Sequence, residues 1–223
     1  MKYKSGNMVI GICSPSGGGK TALVKKLSEL IEDNVIISFD DYGDPFWDIM
    51  DFEKWIRQGA DLNKITTTKL VTDLEALRTG KSIISPKNQE VIEPRKFILF
   101  DTLVGRAHHA TGKFIDFLVY IDVPLELALS RRIMRSLTEV PADKLTIEKA
   151  RERIENLNEY LTAYSSQTGP RQIYLAIQNQ VKPLSDVVLN GEKSISSLAA
   201  DVLAALNYKP EGGKLLKQRN IVT

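Results

Sequence analysis

Residues 8–31 read MVIGICSPSGGGKTALVKKLSELI, an apolar run, a glycine-rich stretch and an amphipathic repeat in immediate succession. Met8 to Cys13 is short, rich in β-branched residues and not alternating, as a strand covered on both faces requires. Leu23, Val24, Leu27, Leu30 and Ile31 recur at helical spacing, with Lys25, Lys26, Glu29 and Glu32 on the other face. The glycines between them allow the chain to turn sharply from one element into the next. A strand feeding directly into a helix is the opening half of a crossover unit, so this stretch decides for an α/β fold with a parallel sheet.

The same rhythm continues outward. Val35–Phe39, Phe97–Phe100, Phe117–Ile121 and Val187–Leu189 repeat the apolar, β-branched or aromatic character of Met8–Cys13, which makes five strands. Between the second and third, Asp44 to Gly80 is mainly helical, with Phe52, Trp55 and Ile56 in one segment and Leu70, Leu74 and Leu77 in another. Ser82 to Ile92 reads as a small hairpin or irregular flap, because Pro86 and Asn88 interrupt two apolar runs. Residues 44–95 are therefore expected to form an insertion able to cover a ligand. Pro124 opens a helix carrying Arg131, Arg132 and Arg135, which Pro141 ends. Ile147, Ala150, Ile154, Leu157, Leu161 and Tyr164 mark a long helix, and Gly169-Pro170 separates it from one holding Ile173, Ile177 and Val181. Ile195 to Leu206 form the last helix; residues 1–208 are read as a single domain and the basic residues 209–223 as a flexible tail.

Composition narrows the function classes. The chain has 223 residues, 43% hydrophobic and 26% charged, enough for one ordinary core. A formal net charge of +2 is too weak a field for an electrostatic nucleic-acid binder. Apolar stretches fall far short of the roughly 20 residues that cross a bilayer, and the start of the chain lacks a signal peptide's apolar region. The expectation is a cytoplasmic protein without nucleic-acid or membrane partners. Cys13 alone cannot form an internal disulfide or a thiolate zinc site, and the two histidines are adjacent, His108 and His109. Any bound metal is expected on oxygen ligands.

Ser14 to Thr21 (SPSGGGKT), set between strand and helix, has the context of a phosphate-binding P-loop. Ser16, Gly17, Gly18 and Gly19 can point successive backbone N–H groups inward at phosphate oxygens, and the helix directs its positive dipole end to the same place. Lys20 would reach the β and γ phosphates of ATP, and the Thr21 hydroxyl would bind Mg2+. Ser14 stands where the usual pattern has its first glycine. Asp101 closes a buried strand at the sheet's ligand edge and fits a second, carboxylate ligand for Mg2+.

From these residues outward the chain resembles the uridine kinase and phosphoribulokinase group of P-loop kinases. IGICSPSGGGKTALVKKL is similar to the group's first strand, loop and helix, and IISFDDY to its second strand with a terminal catalytic Asp. FILFDTLVG is similar to the strand that more often ends in Glu-Gly, DFLVYIDVPLELALSRRIMR to the strand and arginine-bearing helix, and QVKPLSDVVLNG to the last strand. The resemblance covers about residues 8–206 and implies a P-loop NTPase fold: three αβα layers, a five-stranded parallel sheet ordered 2-3-1-4-5, and a small insertion and lid.

It also implies transfer of the γ-phosphoryl of ATP, with Mg2+, to a hydroxyl of a nucleoside-like, sugar-phosphate or vitamin-like small molecule. Asp40 would orient or deprotonate that hydroxyl, with Asp41 the neighbouring candidate; strand parity lets only one face the site. Residues about 131–145 would form the lid, with Arg131 binding the nucleotide and Arg135 acting on the transferring group, four residues apart on one helix face. The segment RSLTEVPADK lacks the group's further Arg-Gly-Arg, and SPKNQEVIEPRKF lacks its base- and ribose-gripping pattern, which argues against uridine. Arg106, His108 and His109 are candidates for acceptor contact, and Trp47 or Trp55 for a pocket wall. A nucleotide-binding regulator or slow NTPase would need the same loop without the acceptor pocket; a homo-oligomer is compatible with either.

Overall fold

Seven strands run in chain order Met8–Cys13 (β1), Asn34–Ser38 (β2), Ile83–Ile84 (β3), Val91–Ile92 (β4), Phe97–Thr102 (β5), Phe117–Asp122 (β6) and Val187–Asn190 (β7). They belong to a computed structural model that describes residues 7–43, 49, 51–138 and 145–208. Five strands form one parallel sheet in the order β2-β5-β1-β6-β7. These are the five runs read from the sequence, in the expected lateral order. The written order departs from 2-3-1-4-5 only because β3 and β4, an antiparallel hairpin pairing Ile83 with Ile92, take two numbers between the second and third of them.

The helices are Lys20–Leu30 (α1), Phe52–Arg57 (α2), Thr68–Arg78 (α3), His109–Gly112 (α4), Leu125–Thr138 (α5), Ile147–Ser165 (α6), Pro170–Val181 (α7) and Ile195–Ala205 (α8). Period-two alternation along the strands divides their side chains between two apolar layers. Val9, Ile98, Phe100, Leu118 and Tyr120 face one way, where Trp55, Leu70, Leu74, Leu77, Ile173 and Ile177 of α2, α3 and α7 cover them. Ile10, Ile12, Leu99, Val119 and Ile121 face the other, against Leu23, Val24 and Leu27 of α1 and Leu198, Ala199 and Val202 of α8. Covering on both faces is why the strands read as unbroken apolar runs.

Two features go beyond the sequence pattern. First, the described part of residues 44–95 packs into the core: Trp55, Leu62, Ile65, Leu70, Leu74, Leu77 and Ile83 are buried in the same layer as the sheet residues. The link from β2 to β5 must shield one face of the sheet, and α3 does so. Second, α6 has the expected helical repeat, yet Ile147 and Ile154 are 79% and 66% exposed. The helix lies against α5 and α7 instead of against a strand, and it buries Tyr164. Residues 139–144 of the expected lid, Trp47 and the tail 209–223 lie outside the described residues.

Candidate active site

β1 ends at the centre of the sheet, and the loop that follows is shaped by its glycines. Gly17 and Gly19 have φ of 86° and 95°. A Cβ on Gly17 would lie 2.0 Å from the Ala128 carbonyl oxygen of α5, and one on Gly18 would lie 2.6 Å from Ser14 Oγ. Ser14 is fully buried and donates to the Pro15 carbonyl at 3.1 Å. Its φ is not positive, so the position accepts a side chain where the usual motif has glycine. Gly18 N–H donates back to Pro15 O at 2.9 Å. α1 starts at Lys20 without a side-chain cap and without an acidic residue in its first turn. Its first amides therefore lack protein partners and offer positive dipole ends to an anion.

Lys20, Thr21 and Asp101 meet directly beneath this loop. Asp101 lies within β5, in register with Ile12 and Ser38, because the strand runs on to Thr102. One of its carboxylate oxygens pairs with Lys20 Nζ, and the other accepts from Thr21 Oγ1 at 2.8 Å. Asp101 is 2% exposed and Lys20 9%. Burying two charges costs several kcal/mol per ion before their attraction is counted, so such a pair is a poor way to gain stability. It does place a cation, a hydroxyl and a carboxylate within one small volume.

A cavity of about 1450 Å³ opens over them. One small ligand needs roughly 300–1,000 Å³, so this volume has room for two. The glycine loop forms its floor; Asp40 and Leu103 line it, as do Arg131, Arg132 and Arg135 of α5. Among the described residues, five cationic side chains line the cavity against two carboxylates, Asp40 and Glu192, which suits a polyanion.

Asp40 and Asp41 do diverge, though strand parity is not the reason. β2 stops at Ser38, and Phe39–Tyr42 forms a 3-10 turn whose successive side chains point about 120° apart. Asp40 is exposed into the cavity, whereas Asp41 turns to Lys87 Nζ of the hairpin loop at 3.4 Å. Tyr42 points elsewhere again, donating to buried Asp73 at 2.8 Å. A pocket of about 90 Å³ between this turn and the start of α3 is too small for a substrate.

The three arginines divide their contacts differently from the helical-face reading. Arg131 donates to the Gly191 carbonyl at 3.0 Å and so ties α5 to the turn between β7 and α8. Arg135, one turn further on, lines the cavity and is exposed. Arg132 is the one that reaches the loop, donating to Ser16 Oγ at 2.6 Å. The cavity wraps a wide arc of α5, with the loop packed on it at Ala128, so residues on more than one face enter the site.

Other candidates have structural partners. Arg106 pairs with Asp186 at 2.7 Å and donates to the carbonyls of Ile115, Leu184 and Asp116. His108 is buried between Thr111 Oγ1 at 2.8 Å and the Ile65 carbonyl at 3.2 Å, and burial lowers its pKa despite that carbonyl. His109 is exposed, and its backbone N–H donates to Asn63 Oδ1 at 2.8 Å. Trp55 is core, with Nε1 donating to the Asp61 carbonyl. Cys13 is fully buried with its thiol on the Leu103 carbonyl; burial pushes its pKa up to about 12, against the opposing pull of Lys20.

The sequence reading missed Tyr160 and Tyr174 and the turn Gly191–Ile195, all of which line the cavity. Tyr160 stands at helical spacing from Leu157 and Tyr164, but its meeting with Arg132 comes only from the packing of α5 on α6. A glycine closing a last strand ahead of a Ser-capped helix was the available signal for the turn.

The donor set fits a nucleotide with a divalent cation: a hydroxyl and a carboxylate for a hard metal, free amides and a lysine for phosphate oxygens, and a cradle that only glycine leaves open. No family model matches the chain. A uridine kinase of Borrelia duttonii (strain Ly) is 28% identical over 145 residues, 59% of this chain and 68% of that protein. A uridine kinase of Macrococcus caseolyticus (strain JCSC5402) is 23% identical over 207 residues, 87% of this chain and 93% of that one. A phosphoribulokinase of Synechocystis sp. is 24% identical over 151 residues, 59% of this chain and 42% of that protein. Uridine kinases and a phosphoribulokinase are homologues of this chain. With 87% of it aligned to one of these kinases, the likeness is not confined to the loop and the elements beside it. Among the described residues no helix is long and apolar enough to cross a membrane.

Proposed function

We propose that this chain is a Mg2+-dependent kinase that transfers the γ-phosphoryl group of ATP to a hydroxyl of a small molecule. The observation that carries the reading is the meeting of Lys20, Thr21 and Asp101 beneath an uncapped helix start, with Asp40 in the wall of the same cavity. Homology to uridine kinases and a phosphoribulokinase supports it from a separate direction.

In this reading the amides of the Gly17–Gly19 loop and the start of α1 bind phosphate oxygens, and Lys20 leaves Asp101 to neutralise the transferring group. Thr21 and Asp101 would hold the Mg2+, which would supply positive charge to offset that of the phosphates. Asp40 orients the acceptor hydroxyl and takes its proton as the acceptor oxygen bonds to the γ-phosphorus and the bond to the ADP oxygen breaks. Arg132 and Arg135 neutralise charge on the transferring oxygens and help keep water from them. The acceptor is a nucleoside-like, sugar-phosphate or vitamin-like alcohol.

Mg2+-dependent ATP consumption by the full chain, screened against nucleosides, sugar phosphates and vitamin alcohols, tests the reading. One acceptor is expected to raise consumption well above background, and Lys20→Ala is expected to remove that rise. ATP binding with no acceptor-dependent consumption would support a regulator or slow NTPase instead. Equal rates in wild type and Lys20→Ala would end the kinase reading.

A further inference from the structure

The cations around the loop are held in two different ways. Lys20 is paired with a carboxylate, and so is Arg106 outside the cavity. Arg132 is held by two uncharged groups: it donates to Ser16 Oγ at 2.6 Å, and its guanidinium carbon lies 4.3 Å from the centre of the Tyr160 ring. Among the described residues it has no carboxylate partner. A carboxylate would fix an arginine and cancel its charge together. An aromatic face attracts the guanidinium through the ring quadrupole and leaves the full positive charge available to an anion.

The ring is itself anchored. Tyr160 packs against Tyr164 with centroids 5.9 Å apart, Tyr164 packs against Tyr174 of α7 at 6.4 Å, and Tyr164 is only 8% exposed. Two rings of α6 and one of α7 therefore lie side by side up to the guanidinium, with buried Tyr164 between the other two. The Tyr160 hydroxyl is buried beside Tyr174 and is not hydrogen-bonded to Arg132, so it does not hold the guanidinium. The face of the ring does.

We propose that Tyr160 is the positioning residue for Arg132, holding the guanidinium over the phosphate loop, charged and pre-oriented, before substrate arrives. Fixing a long side chain in advance removes an ordering cost from the bound state. The proposal rests on the kinase reading for its consequence in turnover, and on the Arg132–Tyr160 geometry for the coupling itself.

The test is a double-mutant cycle in the full chain with Tyr160→Met, Arg132→Ala and the pair, alongside Tyr160→Phe. Tyr160→Met keeps bulk and removes the ring; Tyr160→Gln replaces it should the Met variant fail to fold. Tyr160→Met is expected to lower kcat roughly 3- to 30-fold, the scale of a partly desolvated cation–π contact, with KM for ATP changing less than about twofold. In the Arg132→Ala background the same change should cost almost nothing, and Tyr160→Phe should match wild type. A loss that persists undiminished without Arg132, or that Tyr160→Phe reproduces, would overturn the proposal. Should no acceptor support turnover, the kinase reading fails separately, and the same cycle read by affinity for ATP with Mg2+ decides the coupling: non-additive losses sustain it and additive ones refute it.

Discussion

The two walls of the cavity are built on opposite principles. The floor, β1 through α1, is held by burial and by backbone shape: Leu23 and Leu27 are fully buried, and Gly17 leaves no space for a Cβ against Ala128. The α5–α6 wall is held by side-chain contacts across the surface: Arg132 spans from Ser16 to Tyr160, while Ile147 and Ile154 of the same wall remain exposed. The difference separates rigidity specified by packing from placement specified by a few polar and aromatic contacts.

The largest expected effect lies on the floor. Lys20→Ala should lower turnover about a thousandfold or more, the scale of a lost cation on a transferring phosphoryl group, and leave the circular dichroism spectrum unchanged. Retained turnover would mean that the floor does not do the chemistry. Leu23→Ala, which disturbs the same floor from below, should cost about 2–5 kcal/mol in denaturant unfolding because it empties a fully buried site. A loss under about 1 kcal/mol would show the floor to be less tightly packed than its burial implies.

Asp40 lines the cavity from the turn after β2, apart from both the floor and the α5–α6 wall. Asp40→Asn should lower the transfer rate by roughly a hundredfold while ATP affinity stays nearly constant. Asp41→Asn, whose carboxylate faces Lys87, should change the rate by less than about threefold. Reversed results would make Asp41 the group that meets the acceptor. On the opposite wall Ile154→Ala should change stability by no more than about 0.5 kcal/mol, because the side chain is already in water. A cost like that of Leu23→Ala would mean that the exposed stripe is covered in solution.

A last measurement concerns the floor's only thiol. With the Cys13 pKa raised to about 12 by burial, the folded state keeps a proton that the unfolded state releases at its lower pKa. The contribution of this group to stability is full below the unfolded pKa and falls as pH rises toward about 12, since the unfolded state then binds fewer protons. Cys13 should therefore resist alkylation at pH 8 in the native protein and react after denaturation. Rapid alkylation of the native protein at that pH would contradict its burial.

The loop, the five strands and Asp101 were legible because each is a local pattern. An apolar run bounded by turn residues, or glycines between a strand and a helix, is visible within about twenty residues. The α6 repeat shows where local pattern stops. Ile147, Ile154 and Leu161 have the spacing of a buried face, yet spacing reports only that residues share a side of a helix, and which neighbour covers that side depends on the rest of the chain.

By itself, then, the sequence determined the α/β class, the parallel strands, the glycine-shaped cradle and the residues Lys20, Thr21 and Asp101 that meet under it. Tertiary structure alone decided that Asp40 and not Asp41 enters the cavity, that Arg131 serves a carbonyl while Arg132 reaches Ser16, and that Tyr160 lies beneath it. The physical reason is range. Backbone preference and hydrophobic period act between near neighbours, whereas the direction of a side chain on a turn or helix is settled by residues far along the chain: Lys87 for Asp41, Gly191 for Arg131, Ser16 and Tyr160 for Arg132.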